Sequence, residues 1–303
     1  MTWLYFNLLV FALLGLDLFV LNRRDHVIGL REALGWSAFW IVVSLTFNYF
    51  IYIWRGEGPA IEFLTAYLLE KSLSVDNLFV FILLFNYFRV PPQYQHKVLF
   101  WGIIGALVLR ATFILVGVTL INKFAWTTYV LGAFLVYTGI QLFRAGGDPD
   151  IHPEGNFVVR WVSKRLPVTR DFEGGNFFVR KEKLRFATPL FIVLLMVETT
   201  DVVFAADSIP AVLAVSRDPF IVYSSNVFAL LGLRALYFAL AGVIHLFHYL
   251  HYGLALILIF IGAKMIAGYW HLHLDEVTSL LVVGGLLLLS MVASLLFPKR
   301  EAA

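Results

Sequence analysis

The chain repeats one pattern from end to end: a run of about twenty apolar residues, a short polar break, and another run. A helix needs about 20 such residues to cross the hydrocarbon core of a bilayer. Nine runs qualify, at approximately 3–21, 33–54, 60–88, 98–121, 127–144, 186–215, 223–246, 251–270 and 277–297. The expected fold is therefore an all-α polytopic membrane protein with nine spans. Composition agrees, because 60% of the residues are hydrophobic and only 14% charged, whereas a soluble domain is roughly half apolar and a quarter charged. No basic stretch precedes the first run and no small-residue cleavage site follows it. That favours a spanning helix over a removable signal peptide.

The basic residues orient the spans. With the N-terminus outside, the inner segments hold sixteen Lys and Arg and the outer connections hold three, Arg55, Lys123 and Arg217. Such a bias marks the cytoplasmic side, so the expectation is an N-out, C-in protein of the cytoplasmic (inner) membrane. The only long polar stretch, 145–185, carries much of that charge. It reads as a cytoplasmic linker, with a short interfacial helix around 157–166.

The two halves echo each other. "EKSLSVDN" (70–77) places Glu70 six residues before Asp76–Asn77, and "DVVFAADS" (201–208) places Asp201 six before Asp207–Ser208. "LRA" follows at 109–111 and again at 233–235, and the Arg-to-Tyr separations are 19 and 18 residues. "YVLGAFLVYTGIQ" (129–141) then aligns with "YGLALILIFIGAK" (252–264). Each unit crosses three times and the linker adds no crossing, so the second unit enters from the opposite side. This is an inverted-topology repeat, in which substrate sites lie near the midplane where the repeats meet. The expected organisation is two N-terminal helices over 1–59, a first three-helix repeat over 60–144, the basic linker over 145–185, a second repeat over 186–270, and a last helix with the C-terminal tail over 271–303.

Inside these spans sit Glu70, Asp76, Glu198, Asp201 and Asp207. A charged side chain at the bilayer centre costs at least roughly 2.5–3.5 kcal/mol. The acids must be protonated, paired with a cation, or bound to a metal. Arg110 and Arg234 are the natural partners, because arginine stays charged in any protein environment. Lys71 and Lys264 are expected to snorkel toward the membrane surface, which leaves the acids in excess. Glu198 and Asp201 are three residues apart and share a helix face. Pro210 frees the carbonyl of Ala206 and is expected to open the helix near Asp207. Carboxylates with Asn77 and Ser208, and no thiol in the chain, suit a hard divalent cation such as Mn, Mg or Ca. Exchange of that ion for protons follows from the capacity of buried carboxylates to hold protons. A salt-bridge network that only holds the bundle together is the competing reading of the same residues.

Other polar residues carry less. Asp17 fits a pair with Arg23 or Arg24, and Glu62 an interfacial position. His245, His248 and His251 form a row at three-residue spacing that could hold a metal but more simply lines a helix end. Tyr129 and Tyr252 fit the aromatic belt. Cysteine is absent and there are four methionines, which excludes thiol redox chemistry and argues against soft-metal handling. The chain has no nucleotide-binding P-loop and no hydrolase or metalloprotease signature. ATP-driven pumping and enzymatic activity are not expected, and nothing points to nucleic acid.

The stretches "LLEKSLSVDNLFVF", "VETTDVVFAADSIPAV" and "DPFIVYSSNVFALLGLRALYF" resemble the TerC/Alx family of integral membrane proteins over nearly the whole chain. The resemblance implies a role in manganese homeostasis, chiefly export from the cytosol, and a historical link to tellurite resistance. It implies a metal path through Glu70, Asp76, Asn77, Glu198, Asp201 and Asp207, with Mn(II) as substrate and no resident cofactor. The expected function is thus a secondary transporter exporting Mn(II), with proton exchange as the coupling. The alternatives are a membrane scaffold or metal-loading partner for exported proteins, and a carrier of another divalent cation such as Ca.

Overall fold

The computed structural model describes residues 2–21, 29–124, 126–145, 161, 166–169, 171–181, 184–241, 249–268 and 275–296. These residues form ten helices and one small hairpin. The helices are α1 (Thr2–Leu21), α2 (Leu30–Arg55), α3 (Glu57–Tyr87), α4 (Pro92–Lys123), α5 (Trp126–Ala145), α6 (Pro189–Val215), α7 (Pro219–Leu231), α8 (Leu233–Ala241), α9 (Leu250–Ala267) and α10 (Glu276–Leu296). Strands β1 (Phe178–Lys181) and β2 (Leu184–Ala187) pair antiparallel just before α6. The expected interfacial helix at 157–166 lies, apart from Trp161, largely outside the described residues.

Helix starts follow local chemistry. Proline opens α4, α6 and α7, where its missing N–H is one the helix would leave unpaired anyway. Asp218 caps α7 by accepting from the amides of Phe220 at 2.8 Å and Ile221 at 3.4 Å, and its other oxygen pairs with Arg55 at 2.7 Å. The tight link from α2 to α3 turns on Gly56, whose φ of +95° a side chain would strain.

Among the described residues, six helices are long and apolar enough to cross a membrane, or seven if the bent pair α7–α8 counts as one span. The nine-span expectation is met only to that extent. Helix α3 has 31 residues but carries Glu57, Glu62, Glu70, Lys71 and Asp76, so it is not apolar throughout. Of α1, the residues with described side chains form the apolar stretch Thr2–Leu16. Large side chains such as Phe11, Ile53, Tyr137 and Leu289 point outward, as a lipid-facing surface requires.

Residue contacts give the direction of packing. On α4, Gly102 lies against Val197, Gly105 against Glu198 and Gly117 against Leu213 of α6. The numbers rise together, so α4 and α6 run the same way. Helix α3 likewise follows α7 and α8, through Phe63 with Phe228, Lys71 with Ala229 and Phe85 with Tyr237. Helices α5 and α9 run oppositely. A Cβ on Gly262 would stand 2.5 Å from the Gly132 carbonyl, and one on Gly139 would stand 2.8 Å from the Ala255 carbonyl. Glycine here lets two backbones touch, the usual way for helices to pack without a hydrophobic driving force.

Two expectations about local structure are corrected. Helix α6 continues through Pro210, because one proline removes a single internal hydrogen bond. The break falls instead at Gly232, where α7 and α8 meet at 42°. Lys71 does not snorkel. Its Nζ donates to the Ala229 carbonyl at 3.2 Å and packs beside Gly232, which places the ammonium next to the break. Lys264, in the last turn of α9, is half-buried and donates to Ser279 Oγ at 2.5 Å.

The described part of the linker folds onto one end of the bundle. Val168 bridges Ala187, and Thr188 Oγ1 donates to the Asn176 carbonyl at 2.6 Å. Lys97 of α4 donates to the Gly175 carbonyl at 2.7 Å and lies over the Phe177 ring. Phe172 and Phe177 pack against the apolar cluster of α3, α4, α6 and α8.

Candidate functional site

Four helices bring one polar group each to a single point. Arg110 of α4 lies between Glu70 of α3 and Asp201 of α6, with Asn226 of α7 beside it. Arg110 Nη1 contacts Glu70 Oε1 and donates to Asn226 Oδ1 at 3.2 Å, while Nη2 donates to Asp201 Oδ1 at 3.4 Å. The four side chains are almost wholly withdrawn from the surface, at 0% exposure for Glu70, 1% for Arg110 and Asn226, and 3% for Asp201. Asn226 is fixed in turn by donating Nδ2 to the Val222 carbonyl at 3.0 Å.

The sequence dictates this convergence. Glu70 and Asp201 interrupt otherwise apolar helices, and burying a charge is tolerable only when it is paired and hydrogen-bonded. A guanidinium offers five donors in a fixed fork, enough to serve two carboxylates and an amide at once. The pairing is incomplete, however. One cation meets two anions, so the hub has a negative surplus. Among the described residues, Asp201 Oδ2, Glu70 Oε2, Ser74 Oγ and Ser208 Oγ are buried without a hydrogen-bond partner. Ser74 lies one helical turn beyond Glu70 and Ser208 two turns beyond Asp201, so each extends the polar stripe on its own helix face.

Glu198 completes the stripe on α6, three residues before Asp201. It is half-buried, and its carboxylate fills the space where a Cβ on Gly105 would go. Among the described residues it forms no ion pair. The acids therefore divide. Glu70 and Asp201 are held by Arg110, and Glu198 is not.

The remaining candidates stand as follows. Asp76 and Asp207 lie on α3 and α6, but their side chains fall outside the described residues. Asn77 is 3% exposed and Arg234, in the first turn of α8, is 2% exposed. Among the described residues, no group of three or more His, Asp or Glu is close enough to hold a metal ion. His245 and His248 fall outside the described residues, and the His251 ring lies 4.0 Å from that of Tyr252. Asp17 is likewise not described in its side chain. Glu62 accepts a hydrogen bond from Ser216, tying α3 to the turn between α6 and α7.

Sequence reasoning missed Asn226. The cue was available: Ser224, Ser225 and Asn226 are three consecutive polar residues inside an apolar run, and all three are at most 1% exposed. A buried polar triplet calls for partners, and Asn226 finds its partner in Arg110.

Comparison with known proteins bears on the whole chain. Residues 55–302 match the model of the integral membrane protein TerC family. The chain is 47% identical over 294 residues to a protein of Myxococcus xanthus described as "Uncharacterized membrane protein STKORF319", covering 97% of this chain and 92% of that one. It is also 47% identical over 299 residues to the "Putative membrane-bound redox modulator Alx" of Salmonella typhi, covering 96% and 92%. The protein of the same description from Escherichia coli K12 is 45% identical over 299 residues. No solved structure matches. With most of its length matched by the family model, the chain belongs to the TerC family of integral membrane proteins.

Proposed function

We propose that this protein is a secondary transporter that exports Mn(II) from the cytosol in exchange for protons. The observation that carries the reading is the buried polar hub, where two acids share one arginine and a third acid, Glu198, lies one turn away without a cation. A bundle stabilised only by salt bridges would balance its charges; a carrier for a divalent cation benefits from the surplus. In this reading Arg110 keeps Glu70 and Asp201 in place between ion visits. Glu198, Asp76 and Asp207 meet the metal, with Asn77 supplying a neutral oxygen and Arg234 holding the second repeat's acids. Oxygen donors of this kind suit a hard divalent cation, and the choice of manganese and of outward direction rests on the family resemblance.

The architecture we assign is nine spans, N-out and C-in, with α3–α5 and α6–α9 as inverted repeats. Support comes from reciprocal contacts. In the aligned halves Gly132 corresponds to Ala255 and Gly139 to Gly262, and the contacts made are Gly132 with Gly262 and Gly139 with Ala255. Each contact is the two-fold image of the other. Helix α4 follows α6 just as α7–α8 follows α3, the pattern a pseudo-two-fold axis requires.

The relatives' description as redox modulators fits a metal carrier more readily than direct electron transfer here. The chain has no cysteine, so a redox effect would pass through the metal it moves. Catalysis is no part of this reading.

Reconstitution tests it. Purified protein in liposomes loaded with a Mn-sensitive dye and a pH probe should show Mn(II) flux with opposed proton movement. Asp76→Ala, Asp207→Ala and Glu198→Ala should each remove the flux while the protein remains inserted. Wild-type flux from all three variants would reject the assigned site, and absence of flux from the wild type would reject the transporter.

A further inference from the structure

From the hairpin that precedes α6 we infer that its paired arginines form a binding site for the phosphate headgroup of an anionic phospholipid. In the register of β1 and β2, Arg180 stands directly opposite Arg185. Such partners have Cα atoms roughly 4.5–5.5 Å apart, and like charges placed there destabilise the pair. Both arginines are exposed, and neither has a carboxylate partner among the described residues. The hairpin keeps a repulsive pair at its centre, which an anion bridging the two guanidinium groups would relieve. Guanidinium forks recognise phosphate oxygens in just this bidentate manner.

The position selects a lipid as the source of that phosphate. Arg185 is four residues before Pro189, where α6 begins, and α6 is one of the helices apolar enough to span. The pair is thereby held at headgroup level. Phe178 points to the same face of the hairpin, because its register partner Ala187 and the Arg180–Arg185 pair alternate with Val179–Phe186 on the other face. Its ring is 49% exposed and packs against Phe191 of α6 at 4.4 Å. An aromatic side chain beside two cations, next to the start of a span, matches the apolar and anionic parts of one lipid molecule. This inference needs only that α6 enters the bilayer there, and it is independent of what the protein transports.

The test uses the full chain in liposomes and in detergent with added lipid. Wild-type protein should retain phosphatidylglycerol over phosphatidylcholine in native mass spectrometry, and phosphatidylglycerol should raise its thermal midpoint. Each of Arg180→Gln and Arg185→Gln should weaken phosphatidylglycerol binding by about fivefold, the share of one basic residue near an anionic surface. Stability should also change order with the lipid. In pure phosphatidylcholine Arg185→Gln should match or exceed wild type, because the repulsion is gone, and in phosphatidylglycerol it should fall below it. The same order in both lipids, or unchanged phosphatidylglycerol retention in the double variant, would overturn the inference. Equal protection of the wild type by inorganic phosphate in phosphatidylcholine would also overturn it, by showing that the site does not read a lipid.

Discussion

Removing Arg110 offers the sharpest test of the buried hub. The guanidinium is the one group that neutralises both Glu70 and Asp201 among the described residues, and all three are at most 3% exposed. In Arg110→Met two carboxylates remain at the junction of α3 and α6 with no cation. Breaking a buried ion pair by deleting one partner costs about 3–5 kcal/mol, because the surviving charge stays desolvated. Asn226 Oδ1 also loses its charge-assisted donor, which adds about 1–3 kcal/mol. The single variant should therefore lose about 4 kcal/mol or more. Neutralising all three positions, as Arg110→Met with Glu70→Gln and Asp201→Asn, removes the uncompensated charge. That triple variant should recover to within about 2 kcal/mol of wild type, since replacing a whole buried network by neutral groups is often nearly costless. Unfolding in mixed micelles, followed by the fluorescence of the eight tryptophans, gives both values. A triple variant no more stable than the single, or a single variant within about 1 kcal/mol of wild type, would show that the arginine is not compensating the two acids.

Other perturbations read different parts of the molecule. Gly262→Ala pushes a methyl group against the Gly132 carbonyl, a backbone atom that cannot swing aside, and should cost about 1–3 kcal/mol in the same unfolding assay. Gly105→Ala displaces only the end of the flexible Glu198 side chain, so stability should fall by less than about 1 kcal/mol while Mn(II) flux in liposomes drops sharply. Asp218→Ala removes the cap of α7 and should cost about 1–2 kcal/mol, whereas Asp218→Asn keeps the capping oxygen and should lose only the exposed pair with Arg55, about 0–1 kcal/mol. Asp275 accepts hydrogen bonds from the Thr278 hydroxyl and, at 3.2 Å, from the Thr278 amide. The hydroxyl chiefly, then the amide, holds its carboxyl below the usual range. A depressed folded value means that its contribution is present above about pH 4 and is lost as pH falls through the folded value. Asp275→Ala should therefore separate from wild type in thermal midpoint at neutral pH and converge with it in acid; a gap that widens in acid would contradict the hydrogen bonding.

Much of the helical pattern was legible because hydropathy is local. Each of the nine apolar runs contains helix, and the breaks at Gly56, at 88–91 and at 216–218 fall between helices. The pairing of Arg110 with Glu70 and Asp201 could also be anticipated, since a permanent cation and buried anions on neighbouring spans leave few arrangements. Three features were not legible. The position of the helix break depended on packing: Gly232 sits against Trp40 and Lys71, while Pro210, the stronger local signal, is carried within α6. The inward course of Lys71 depended on the carbonyl of Ala229, 158 residues away. Asn226 needed the helix face of α7 to be known before its role could be assigned. In each case the deciding partner is remote in sequence, and periodicity within one segment carries no information about it.

The glycine contact between α5 and α9 limits how such a molecule can deform. Two backbones that meet through carbonyl and Cα, with no side chain between them, have no compressible layer in which to slide. Rearrangement of the acid-bearing helices would have to turn about that line of contact, as a door turns about its pin. The side of the bundle farthest from the pin would then travel most.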